Sequence, residues 1–123
     1  MSEKKLASEY FMEGLNCAES VVQAYNDEFN ADIPIRVASA LGGGCASGSL
    51  CGAVNAAAMI IGYVKGRESN QDINVARAYS RELMKNIRDN FDSEICLELK
   101  QNGVSCEEII DHSYDILKEL LSR

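Results

Sequence analysis

Residues 41–64, LGGGCASGSLCGAVNAAAMIIGYV, constrain the fold more than any other stretch of the chain. Three consecutive glycines at 42–44, with Gly48 close behind, exclude a stable helix there, because each glycine costs about 1 kcal/mol relative to Ala. They read as a loop that can take positive φ and let a neighbouring backbone or ligand come close. From Leu50 the character changes. Cys51, Ala53, Val54, Ala57, Met59, Ile60 and Ile61 surround a helical axis with no broad polar face, the pattern of a buried helix. The run falls short of the roughly 18 apolar residues a membrane span needs, and Asn55 and Gly62 interrupt it. The expectation is a central helix over about residues 50–64, entered through the glycine loop, with Cys51 in its first turn.

The flanking segments read as helices that could pack around it. Residues 2–13 carry Leu6, Ala7, Tyr10 and Phe11 at helical spacing, and Gly14 fits the position past a helix end. Asn16 can cap a helix over residues 17–29, with Val21, Val22, Ala24 and Tyr25 inward. Pro34 suits the start of a short helix running to the glycine loop. Residues 66–71 are a polar connection; residues 72–90 have an apolar side of Ala76, Tyr79, Leu83, Met84 and Ile87. Ser93 can cap a short helix through Leu99, and Asn102-Gly103 signals a turn. Ser105 with Glu108 has the spacing of a capping box. The last helix then carries an apolar stripe of Ile109, Ile110, Ile116, Leu117, Leu120 and Leu121, with Cys106 placed near its middle. No alternating β-branched run, internal repeat or low-complexity tail appears. The predicted fold is all-α: a compact single-domain bundle, residues 1–123, of about five to six helices around the buried one.

Charge narrows the partners. A net charge of −7 argues against nucleic acid and against anionic membrane surfaces. The first residues, MSEKKLASEYF, have no apolar core of a signal peptide, so the expected compartment is the cytoplasm. There, five cysteines point to metal binding or redox chemistry rather than a permanent disulfide framework. No C-x-x-C spacing occurs, so neither a thioredoxin motif nor a zinc ribbon is indicated.

Four of the five cysteines fall in the first turn of four different predicted helices: Cys17, Cys51, Cys96 and Cys106. A helix start offers unpaired N–H groups and about half a positive charge, and both favour thiolate over thiol. If the four starts converged, about two units of positive partial charge would face one spot. Four thiolates around Zn²⁺ or an oxidised [2Fe–2S] centre, with net charge near minus two, would match it, as would a reactive thiolate pair. Against this stands the plain alternative that buried cysteine often serves as a small apolar filler.

The residues Gly14-Leu15-Asn16-Cys17-Ala18, Gly42-Gly43-Gly44, Cys51-Gly52-Ala53-Val54, Cys96 and Cys106 resemble the C_GCAxxG_C_C family of “putative redox-active” proteins, over most of the chain. The resemblance implies that Cys17, Cys51, Cys96 and Cys106 are the redox-active or metal-binding thiols, with no firmly assigned reaction. The chain departs from the pattern at Ala56, where CGAxxG ends in Gly; a methyl there bears on helix packing but removes no ligand. Cys45 lies outside the four-cysteine pattern and reads as an incidental thiol or as an auxiliary candidate, able to replace a ligand or resolve a sulfenate. Gly43, Gly44 and Gly52 are expected around the site as its loop.

Other chemistries fare worse. GGGCASG lacks the Gly-Lys-Ser/Thr ending of a phosphate loop and follows a helix rather than a strand. His112, the sole histidine, falls off the apolar stripe and reads as a surface residue, so a Cys–His nucleophile is poorly supported. Glu107, Glu108, Asp111 and Asp115 read as a solvated acidic face. The function expected is electron transfer or thiol redox at the four cysteines, with an iron–sulfur cluster as one form of it and a redox protein or small molecule as partner. A structural zinc site, or a helical interaction domain with filler cysteines, is the alternative; a homo-oligomer is compatible with either.

Overall fold

The computed structural model describes residues 5–123. Among the described residues, six α-helices form a bundle: α1 (Ala7–Met12), α2 (Cys17–Phe29), α3 (Gly52–Lys65), α4 (Ala76–Phe91), α5 (Cys96–Gln101) and α6 (Cys106–Leu121). The central helix is α3, packed against α2, α4 and α6. Its composition explains its position: Ala53, Val54, Ala56, Ala57, Ile60 and Ile61 are wholly buried, and the small alanines let three helices approach at once. The Ala56 methyl, where the family pattern has Gly, is absorbed in this core. Burial is not all-round to the end, however. Gly62, Tyr63 and Val64 emerge into solvent, where Tyr63 Oη donates to Asp32 Oδ1 at 3.4 Å.

Cap chemistry sets the ends of α2. Asn16 Oδ1 accepts from the Glu19 backbone N–H at 2.7 Å, and Glu19 Oε1 accepts in return from the Asn16 N–H at 3.0 Å, a reciprocal capping box. At α6 only half of that device forms: Ser105 Oγ accepts from the Glu108 N–H at 3.1 Å. The helix after Pro34 is a single 3₁₀ turn, Ile35–Ala38. Helix α1 begins at Ala7; the part of its expected span at residues 2–4 lies outside the described residues. Helix α4 starts four residues later than its periodicity suggests. Asp72 is used otherwise: its carboxylate accepts from the Glu68 N–H at 3.2 Å and shapes the preceding turn. Ser93 sits before the cap of α5 rather than at it, accepting from Ile95 N–H at 3.0 Å and donating to Glu98 at 2.5 Å.

Two polar residues of α6 depart from their sequence reading. Asp111 is no part of a solvated face. Its carboxylate accepts from the Ser8 N–H at 2.9 Å and the Ser8 hydroxyl at 2.6 Å, tying the start of α1 to α6. His112 is half-buried between α4 and α6, hydrogen-bonded to Asn86 Oδ1 at 2.8 Å and edge-on to the Phe91 ring. Both partners are far away in sequence, so local patterning could not reveal them. The only pairing of extended segments among the described residues is an isolated antiparallel bridge between Leu50 and Ile95.

Candidate functional site

The glycine loop is a left-handed turn. Gly43, Gly44, Cys45 and Ala46 all have φ near +60°, at 65°, 64°, 60° and 59°. The backbone closes on itself through Cys45 N–H to Leu41 O at 3.1 Å and Ser49 N–H to Gly44 O at 2.9 Å. Two of the four residues have side chains, and each is held there against a preference of roughly 1–2 kcal/mol for right-handed backbone. The turn is anchored to the α2 cap from behind: Asn16 Nδ2 donates to Ser39 O at 3.1 Å, and Ser39 Oγ donates to Glu19 Oε2 at 2.6 Å.

This turn delivers the chain to the bridge that positions two cysteines. Cys51 N–H donates to Glu94 O at 2.9 Å and Cys96 N–H donates to Ser49 O at 2.7 Å. These bonds fasten the start of α3 to the start of α5. Cys51 is the cap residue of α3, and Cys17, Cys96 and Cys106 are the first residues of α2, α5 and α6. The helix-start placement expected from sequence therefore holds for all four.

One cavity of about 40 Å³ is lined by Cys17, Cys51, Cys96 and Cys106, with Gly43, Gly52, Leu99, Lys100, Val104 and Ile109 completing the wall. That volume has room for only two or three waters, so an organic ligand would have to meet the sulfurs at the mouth. Gly43 and Gly52 are in the wall, and Gly44 presses on it from behind, since a Cβ there would lie 2.7 Å from Cys96 Cβ. Gly52 has a role of its own. A Cβ on it would stand 2.5 Å from Cys17 Sγ and 2.7 Å from Leu41 O, so the Gly after Cys51 lets α2, α3 and the loop converge.

Exposure divides the thiols into two tiers: Cys17 and Cys51 are buried, at 9% and 4% exposure, while Cys96 and Cys106 are half-buried. Cys45 stands apart. It is exposed, outside the cavity wall, and accepts a 3.8 Å hydrogen bond from Asn55 Nδ2.

Burial disfavours the thiolate at two of the four positions, against helix-start N–H groups at Cys51 and against Lys100 at Cys106. Desolvation pushes the Cys51 thiol up from an ordinary value near 9 to about 11, although the Val54 and Ala53 N–H groups pull the other way. Cys106 is also raised, first by burial and then by Cys17; Lys100 opposes this, and Cys96 and Glu107 add to it. The expectation that helix starts would activate Cys106 is thus overturned by its desolvation. Cys17 and Cys96 each lie close enough to bear on the ionisation of both Cys51 and Cys106.

Among the described residues, no group of three or more His, Cys, Asp or Glu side chains is arranged to hold a metal ion. The sequence reading missed Lys100, Leu99, Val104 and Ile109. Only the i, i+4 spacing of Cys96 and Lys100 on α5 could have signalled one of them.

A family model described as “Putative redox-active protein (C_GCAxxG_C_C)” matches residues 15–120. No curated protein and no solved structure matches the chain. Among the described residues, no helix is long and apolar enough to cross a membrane.

Proposed function

The chain belongs to the C_GCAxxG_C_C family, and from that premise we propose that it is a thiol-redox protein exchanging electrons through its four clustered cysteines. The observation that carries this reading is the single cavity walled by Cys17, Cys51, Cys96 and Cys106. Fillers scattered through a core would have no reason to share one opening.

The two tiers of exposure suggest a division of labour. A half-buried thiol, Cys96 or Cys106, loses its proton to water and its thiolate attacks one sulfur of an external disulfide. A mixed disulfide forms as the external S–S bond breaks, and the leaving thiolate takes a proton from water. A second protein thiol from the buried tier, Cys17 or Cys51, then displaces the remaining small thiol and closes an internal disulfide. The protein gives up two electrons and two protons; the external disulfide becomes two thiols. The reverse sequence reduces the protein. The small cavity supports this chemistry because only sulfur atoms need to enter it.

The test is intact mass spectrometry of reduced, anaerobically purified protein after exposure to a neutral disulfide. Peptide mapping should find a loss of two hydrogens per internal bridge among these four cysteines, with Cys45 outside the bridges. Four thiols that stay reduced in the folded protein would leave packing as their role. Iron with acid-labile sulfide, or stoichiometric zinc, in the purified protein would replace thiol exchange with a metal-bound site.

A further inference from the structure

Lys100 is the single charged residue in the cavity wall. It lies four residues after Cys96 on α5, so the two share one helix face, and its exposed side chain has no ion pair among the described residues. Several other cations are matched: Lys5 with Glu13, Lys85 with Asp89, Arg88 with Glu94 and Lys118 with Glu28. Lys100 also acts on the site electrically, because it is the cation that opposes the upward shift of Cys106. The other charge bearing on Cys106, Glu107 at the start of α6, is outside the wall and has the weaker effect. In a chain of net charge −7, an unmatched ammonium beside two half-buried thiols creates a local exception to the surrounding field.

The geometry points to Lys100 as a specificity-determining residue that selects low-molecular-weight disulfides bearing a carboxylate close to the S–S bond. This rests on the thiol-exchange reading above and names its substrate class. The cavity has room for the reacting sulfur and little more, so the rest of such a molecule stays at the mouth. There its carboxylate meets the ammonium while Leu99, Val104 and Ile109 line the path of the carbon chain. The reaction balances as before: one protein thiolate sulfur bonds to one substrate sulfur, the carboxylate-bearing thiol leaves, and a second protein thiol releases the other half.

Three disulfides of similar size separate the terms: 3,3′-dithiodipropionate (dianionic), bis(2-hydroxyethyl) disulfide (neutral) and cystamine (dicationic). Stopped-flow rates with the reduced full-length protein are divided by the rates of the same disulfides with a short cysteine peptide at equal ionic strength. The expected order is dianion, then neutral, then dication. Lys100→Gln should lower the dianion rate roughly fivefold more than the neutral rate, the worth of one charge pair at about 4 Å in water, while the neutral rate reads the loss of Cys106 thiolate that all three disulfides share. Lys100→Arg should keep the preference, and added salt should erode it in the wild-type protein. If the neutral disulfide oxidises the protein but charge makes no difference, or Lys100→Gln keeps the preference, the selectivity is refuted while thiol exchange stands. If no disulfide oxidises the folded protein, thiol exchange itself is refuted and the selectivity with it.

Discussion

Replacing Gly52 by Ala should destabilise the protein, although an Ala for Gly exchange in a helix ordinarily helps. The ordinary gain is up to about 1 kcal/mol. Against it stands the place the new methyl must occupy: 2.5 Å from Cys17 Sγ, 2.7 Å from Leu41 O and 3.2 Å from Gly42 Cα. Carbon prefers about 3.5–4.0 Å to such neighbours, so the overlap is close to 1 Å. Two of the three obstacles are backbone of the anchored loop, which cannot turn aside as a flexible side chain would. Overpacking of this kind costs about 1–3 kcal/mol, and the high end applies here. The net is a loss of about 1–2 kcal/mol, roughly 4–8 °C in Tm for a chain of this size.

A matched control sits on the same helix. Gly62 has nothing within 4 Å of its would-be Cβ, so Gly62→Ala should stabilise by up to about 1 kcal/mol. Urea unfolding of both variants in reducing buffer gives the two signs directly. Combining Gly52→Ala with Cys17→Ala should recover part of the loss, since the thiol contact disappears and the Leu41 contact remains. If Gly52→Ala and Gly62→Ala both stabilise, or Cys17→Ala recovers nothing, the convergence of α2, α3 and the loop is not as tight as described.

Three further outcomes are expected. In the fold Cys51 keeps its proton up to about pH 11, whereas the unfolded thiol ionises near 9. The contribution is therefore complete below about pH 9 and fades as pH rises to about 11, a loss on the order of 2 kcal/mol; denaturant melts against pH should be steeper there for wild type than for Cys51→Ala. Ala46→Gly should stabilise by about 1 kcal/mol by relieving a left-handed φ of 59° at an exposed position, and an unchanged urea midpoint would count against the left-handed turn. Ser8→Ala should cost about 1–2 kcal/mol, because it removes the hydroxyl that Asp111 accepts; hydrogen exchange should speed up in α1 first, and uniform exchange would show that this link does not hold α1.

How much was visible beforehand follows from which forces are local. Glycine runs, caps and apolar periodicity act over a few residues, so the central helix, the Asn16 cap and the helix-start cysteines could all be read from the chain. Asp111 and His112 could not, because their roles depend on Ser8 and Asn86, which only the folded chain brings near. The left-handed turn lay between these cases. The glycines advertised positive φ, but nothing local says that Cys45 and Ala46 continue it; closure onto Leu41 and Ser49 is what holds them there.

The same distinction explains the error about thiol acidity. A helix start is a local property, and it was correctly located four times. Desolvation is a property of the assembled wall, and it acts in the opposite direction. Bringing four helix starts together makes their N–H groups converge, but it also excludes the water that a thiolate would need. At Cys51 the outcome is a thiol near 11, so the convergence that collects the cysteines also keeps this inner one protonated. On the proposed thiol-exchange reading, attack begins at the half-buried tier, where Lys100 supplies positive charge from the cavity wall. On that reading Cys51 acts second: its thiol is held neutral by burial and exchanges only as its proton passes to water, and the mixed disulfide already formed in the shared cavity gives it a sulfur to attack.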